Sequence, residues 1–148
     1  MTPFELATRF AGVGELRGGE EHPLIQWWLS LCSGFGLHTP DETPWCSAFV
    51  NGICWELRLA RSKLANARSW LDIGTVVQLA DAVVGYDVVV LSRGSVLAAV
   101  DDRHAPGHVG FYAGREGTGV VVLAGNQGDK VSLQTFPAER ILGIRRVQ

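Results

Sequence analysis

Asp41-Glu42-Thr43-Pro44-Trp45-Cys46-Ser47-Ala48-Phe49-Val50-Asn51-Gly52-Ile53-Cys54-Trp55-Glu56-Leu57 is the stretch from which the fold is read. Cys46, Phe49, Val50, Ile53, Cys54 and Leu57 recur at three- and four-residue steps, the spacing of one helical face. The polar residues ahead of them offer N-caps, and Pro44 suits an early helical position. The stretch therefore predicts a central amphipathic helix, with Cys46 in its first turn and Cys54 buried two turns further along the same face.

Upstream, Thr2 and Glu5 have the spacing of a capping box, with Pro3 between them and Phe4, Ala7, Phe10 and Ala11 on one face. A first helix is expected to end near Gly12 and Gly14. Leu24, Ile25, Trp27, Trp28, Leu31 and Cys32 predict a short buried helix stopping at Gly34 and Gly36, its aromatic residues packing in the core. Downstream, Ser62 is expected to cap a helix containing Ala65, Ala67, Trp70 and Leu71, which Gly74 ends.

From there the pattern changes. Val88 to Leu91, Val109 to Ala113, Val120 to Leu123, Val131 to Phe136 and Ile141 to Val147 are short runs rich in β-branched and aromatic residues, separated by glycine-containing turns. Helices first and strands afterwards is the α+β pattern, here N-terminal helices packed on a C-terminal antiparallel β-sheet. The length of 148 residues fits a single catalytic domain over 1–148.

Composition narrows the function. Lys and Arg number 13 against 15 Asp and Glu, so no strong field draws the chain to nucleic acid or an anionic surface. Specificity is expected to come from a pocket; Arg140, Arg145 and Arg146 read as solvated surface. The N-terminus lacks the basic start and apolar stretch of a secretory signal, and no apolar run is long enough to span a bilayer. Synthesis as a soluble cytoplasmic protein is expected. Cys32, Cys46 and Cys54 are odd in number and have no metal-ligand spacing, which argues against a disulfide scaffold or a structural zinc. A thiol mechanism would need no metal or organic cofactor.

Cys46 is the cysteine placed for chemistry. A thiolate is the reactive form, and the free N–H groups and dipole of a helix N-terminus stabilise it. The same amides could hold an oxyanion beside the sulfur. A base is then needed, and His108 opens a strand between Gly107 and the run Val109-Gly110-Phe111-Tyr112. The turn Gly114 to Gly119 places Ala113 opposite roughly Val120, and counting back puts His108 opposite residue 125 or 126. Asn126 is thus the predicted neighbour of His108, its amide oxygen fixing the imidazole tautomer. Singly, His108 also fits a strand-end hydrogen-bonding role and Asn126 a turn residue; the register joins them. His104 is a rival base in a charged loop, while His22 and His38 sit in loops without a strand-borne partner.

Pro44-Trp45-Cys46-Ser47-Ala48-Phe49-Val50-Asn51, Gly107-His108-Val109-Gly110-Phe111-Tyr112 and Gly125-Asn126-Gln127 resemble the small phage endolysin-like cysteine hydrolases related to the CHAP and NlpC-type peptidoglycan peptidases. The resemblance takes in Glu15 to Gly18, Ala67-Arg68-Ser69-Trp70-Leu71 and Leu142-Gly143-Ile144-Arg145. It implies a papain-like core with Cys46 as nucleophile, His108 as base and Asn126 as orienting residue. The implied substrate is an amide bond in the peptide part of bacterial peptidoglycan, cut by a monomer acting on the wall as a lysin or as a delivered effector. An effector would have an immunity or inhibitor protein as partner. One departure is visible: Gly85-Tyr86-Asp87 stands where the group usually has a Gly-Asp pair, which puts the local turn in question.

Overall fold

The predicted central helix forms, from Cys46 to Glu56, in a computed structural model that describes residues 1–18, 20, 22–34, 44–93 and 101–148. In chain order the elements are α1 (Pro3–Thr8), α2 (Pro23–Ser30), α3 (Cys46–Glu56), β1 (Thr75–Val77), β2 (Asp87–Ser92), β3 (Gly107–Glu116), β4 (Gly119–Ala124), β5 (Ser132–Pro137) and β6 (Ile141–Arg146). Short 3₁₀ segments lie at Ala67–Asp72, Leu79–Asp81 and Ala138–Arg140. The strands form one antiparallel sheet in the order β1-β6-β2-β3-β4-β5, with α3 packed on β3. The expected α+β class, helices on an antiparallel sheet, is the fold observed.

The capping box of α1 is made in both directions, Glu5 N–H donating to Thr2 Oγ1 and Thr2 N–H to Glu5 Oε2. That helix stops at Thr8, ahead of the glycines expected to end it. His22 caps α2, its Nδ1 accepting from Leu24 N–H. Pro44 lies outside α3, whose N-cap is Trp45; the cap candidates Asp41, Glu42 and Thr43, like His38 and Gly36, lie outside the described residues. The segment expected as a helix after Ser62 is instead the 3₁₀ turn Ala67–Asp72, with Asn66 at its N-cap.

The helix α3 departs from the expected amphipathic pattern: every residue from Cys46 to Cys54 is buried. Its apolar face meets Trp28, Val109 and Phe111, while its polar residues Ser47 and Asn51 are enclosed by the segment at 62–71. Ser47 Oγ donates to Leu64 O at 2.6 Å and accepts from Trp70 Nε1 at 2.9 Å. Asn51 Oδ1 accepts from Lys63 N–H at 2.8 Å, and its Nδ2 donates to Ser47 O. Buried polar groups satisfied in this way add to the apolar packing that holds the helix.

At the Gly85-Tyr86-Asp87 departure, Asp87 is wholly buried and receives Arg146 Nε at 2.7 Å and Nη2 at 2.8 Å, plus Val83 N–H at 2.8 Å. This fork fixes the start of β2 to the end of β6. The three C-terminal arginines therefore do structural work, contrary to the expectation of solvated surface. Arg145 donates to Leu71 O, and Arg140 donates to Ser92 O while lying over the Phe136 ring.

Candidate active site

The end of α3 that carries Cys46 is set by aromatic packing. Trp45 is buried, stacked on Trp28 at 5.9 Å, and its Nε1 donates to Glu15 Oε1 at 3.0 Å. A side chain at Gly125 would run into the Trp45 ring and into Phe49 Cβ, so glycine there is what lets β4's end approach the helix start. Among the described residues no side chain caps the helix, which leaves its first-turn amides to the sulfur.

Cys46 is 3% exposed. Burial raises its thiol above the ordinary value, against the opposing pull of the Val109 backbone N–H, the Arg93 charge and the amides of Ser47 and Cys46 itself. The expectation of a helix-depressed thiolate is therefore corrected: desolvation outweighs the helix terminus, and the resting group is a protonated thiol. Cys54, as expected, is buried, its thiol pushed up to about 12, and Cys32 is pushed up to about 11.

His108 is fully buried at the start of β3. Its Nε2 lies 2.9 Å from Gln127 Oε1, and its Nδ1 lies 3.0 Å from Arg93 Nη2. Gln127 Nε2 donates to Ser132 O at 2.6 Å and to Val122 O at 3.3 Å, so only its oxygen is left to face the ring. The imidazole must then carry its proton on Nε2, with the Nδ1 lone pair accepting from Arg93. Burial lowers His108 to about 4, the Gln127 bond opposing that shift and the Arg93 and Arg140 charges adding to it. Its ring also packs against Phe136 at 5.5 Å.

The orienting contact expected from Asn126 is made by Gln127 instead. Phe111 pairs with Leu123, and a bulge at Ala113 moves the register one residue from the counted one, so strand extension would place Asn126 opposite His108. But β4 ends at Ala124, and Asn126 turns the chain at φ +59, which hands the inward position to Gln127. Asn126 is thus the turn residue that its composition also suggested.

Cys46, at the start of α3, and His108, at the start of β3, are brought to one place by Val109, the residue after His108, whose backbone N–H serves the sulfur. Val109 and Phe111 pack in the cluster containing Cys46, whereas Leu91, the strand partner of His108, and Phe136, its ring neighbour, belong to the cluster on the other sheet face. The sulfur takes the Val109 backbone N–H, while the His108 side chain points, with that of Leu91, towards Phe136. No hydrogen bond joins sulfur and ring; Arg93 is the group related to both, bonded to the ring and acting by its charge on the thiol.

Of the rivals, His104 is exposed in the loop and His22 is spent on the α2 cap. Among the described residues, no group of three or more His, Cys, Asp and Glu is placed to hold a metal ion. Gln127 stands beside Asn126 in the quoted motif and was open to the same register argument. Arg93, a lone cation after a strand, gave no sequence signal.

No family model matches the chain, and no curated protein matches it. Among solved structures it is similar to NlpC1 from Trichomonas vaginalis, at 16% identity and a TM-score of 0.51, over 99% of this chain and 43% of that one. The chain thus spans less than half the length of that neighbour. The likeness is one of fold: an NlpC-type α+β arrangement over nearly all of the sequence.

Proposed function

We propose, from the NlpC-type fold and from Cys46 at its helix start beside the strand that carries His108, that this chain is a cysteine hydrolase cutting an amide bond in the peptide part of peptidoglycan. The observation that carries the reading is the seating of the Cys46 sulfur among the amides of Val109, Ser47 and Cys46. Those donors stabilise a thiolate and stand ready for an adjacent oxyanion.

In the proposed reaction Cys46 gives its proton to His108 Nδ1, and its sulfur attacks the carbonyl. His108 then protonates the departing amine and activates water to release the acyl group. Gln127 keeps the Nε2–H throughout. No hydrogen bond joins ring and sulfur in this structure, so the proposed step requires them to come within reach on substrate binding, as catalytic hydrogen bonds commonly tighten only in the complex. Whole-protein context, as lysin or effector acting alone or with an inhibitor, follows from the same reading.

A second reading has its own observation: with both imidazole nitrogens occupied and the sulfur buried, the chain is a catalytically silent copy of the fold that binds wall fragments or a protein. Incubation of purified peptidoglycan with wild type and Cys46→Ala, followed by mass analysis of soluble fragments, separates the two. The hydrolase reading expects new peptide fragments from wild type alone. Identical products from both folded proteins would overturn it, and fragment masses would distinguish an amidase from an endopeptidase.

A further inference from the structure

Arg93 follows β2 directly, half-buried, its backbone N–H donating to Pro106 O. Among the described residues its guanidinium makes one side-chain hydrogen bond, to the neutral Nδ1 of His108, and no carboxylate pairs with it. That is an unequal match. A guanidinium is a permanent cation with a fork of five N–H donors, while an imidazole nitrogen offers one uncharged lone pair. A carboxylate offers two oxygens and the opposite charge, and bidentate pairs of this kind are the stronger bonds. The same cation also favours the Cys46 thiolate, so whatever it binds lies within electrostatic reach of the sulfur.

We propose that Arg93 is the specificity residue of this site: it takes a carboxylate carried by the substrate close to the scissile carbonyl and, in doing so, releases Nδ1 of His108. The inference rests on the reading of Cys46 as nucleophile and narrows its substrate to amides bearing a nearby acid. The released lone pair takes the proton of the Cys46 S–H, Nε2–H stays on Gln127, and a thiolate–imidazolium pair forms with no proton lost to solvent. An uncharged amide leaves Arg93 on the ring and the thiol protonated.

Iodoacetate and iodoacetamide supply the test, since they place the same leaving iodide beside a carboxylate or a neutral amide. Second-order rates of Cys46 alkylation, located by peptide mass, are compared for wild type, Arg93→Gln, Arg93→Lys and His108→Ala, with glutathione as the free-thiol reference. The iodoacetate-to-iodoacetamide ratio is expected to exceed that of glutathione by about tenfold in wild type, to fall to the glutathione value in Arg93→Gln, and to lie between in Arg93→Lys. Labelling of buried Cys32 and Cys54 reports unfolding, and where it appears in Arg93→Gln the Arg93→Lys ratio decides. A ratio unchanged by these substitutions, while alkylation still depends on His108, overturns the carboxylate role alone. Wild-type Cys46 that no reagent modifies overturns the nucleophile reading beneath it.

Discussion

The Gln127 side chain presents its oxygen to His108 Nε2 at 2.9 Å because its own nitrogen is committed to the carbonyls of Ser132 and Val122. The tautomer of the imidazole is thereby decided by backbone carbonyls of β4 and β5, and the nitrogen left to accept a proton is Nδ1.

Gln127→Ala removes that control. It should lower activity by about tenfold or more, as expected when an acid–base group loses its orientation, and destabilise the fold by about 1–3 kcal/mol through the unpaired buried N–H. Asn126→Ala should leave the ring untouched and cost about 1 kcal/mol for its left-handed backbone, which Asn126→Gly would recover. Urea denaturation and the imidazole NMR signals of the two variants check the contrast.

The depressed His108 makes stability depend on pH. Its folded value near 4 lies below its ordinary 6.5, so between these the unfolded chain binds the extra proton. Stability from this group is complete above about pH 6.5 and is lost as pH falls towards 4, by up to about 3 kcal/mol. Denaturant midpoints at pH 7 and pH 4.5 should differ less in His108→Gln than in wild type.

Asp87 is enclosed where Arg146 reaches it. Arg146→Met would leave the buried Asp87 carboxylate with only the Val83 N–H as partner, and a loss of stability is expected. The double variant Asp87→Asn/Arg146→Met should recover part of that loss, as read by urea midpoints.

Gly52 sits in α3 where an added Cβ would enter the Trp28 ring. Gly52→Ala gains helix propensity of about 1 kcal/mol, but overpacking of a rigid aromatic should outweigh it at about 1–3 kcal/mol. A lowered thermal midpoint, with Trp fluorescence altered in the native state, is the expected outcome.

Much of this molecule is written locally. The capping box Thr2/Glu5, the 3–4 spacing from Cys46 and five of the strands are read from residues alone because each signal lies within one element. The strand β1, Thr75–Val77, is three residues at a sheet edge and carries too little periodicity to be seen. The enclosure of Ser47 and Asn51 depends on the distant Leu64 and Trp70, so the helix looked amphipathic. At the site, a one-residue bulge at Ala113 and a turn at Asn126 decide which amide meets His108, and neither alters composition. Arg93 was illegible for a different reason: its importance lies wholly in what it touches.

The role of Cys46 is tested most directly by trapping its acyl intermediate. Peptidoglycan-derived peptides are mixed with wild type, Cys46→Ala and His108→Ala, quenched in acid within the first turnover, and the protein is weighed intact and after digestion. The account predicts an added acyl mass on Cys46 in wild type, absent from Cys46→Ala and strongly reduced in His108→Ala. Substrate cleavage that persists in folded Cys46→Ala, with no adduct on the Cys46 sulfur of wild type, would contradict it.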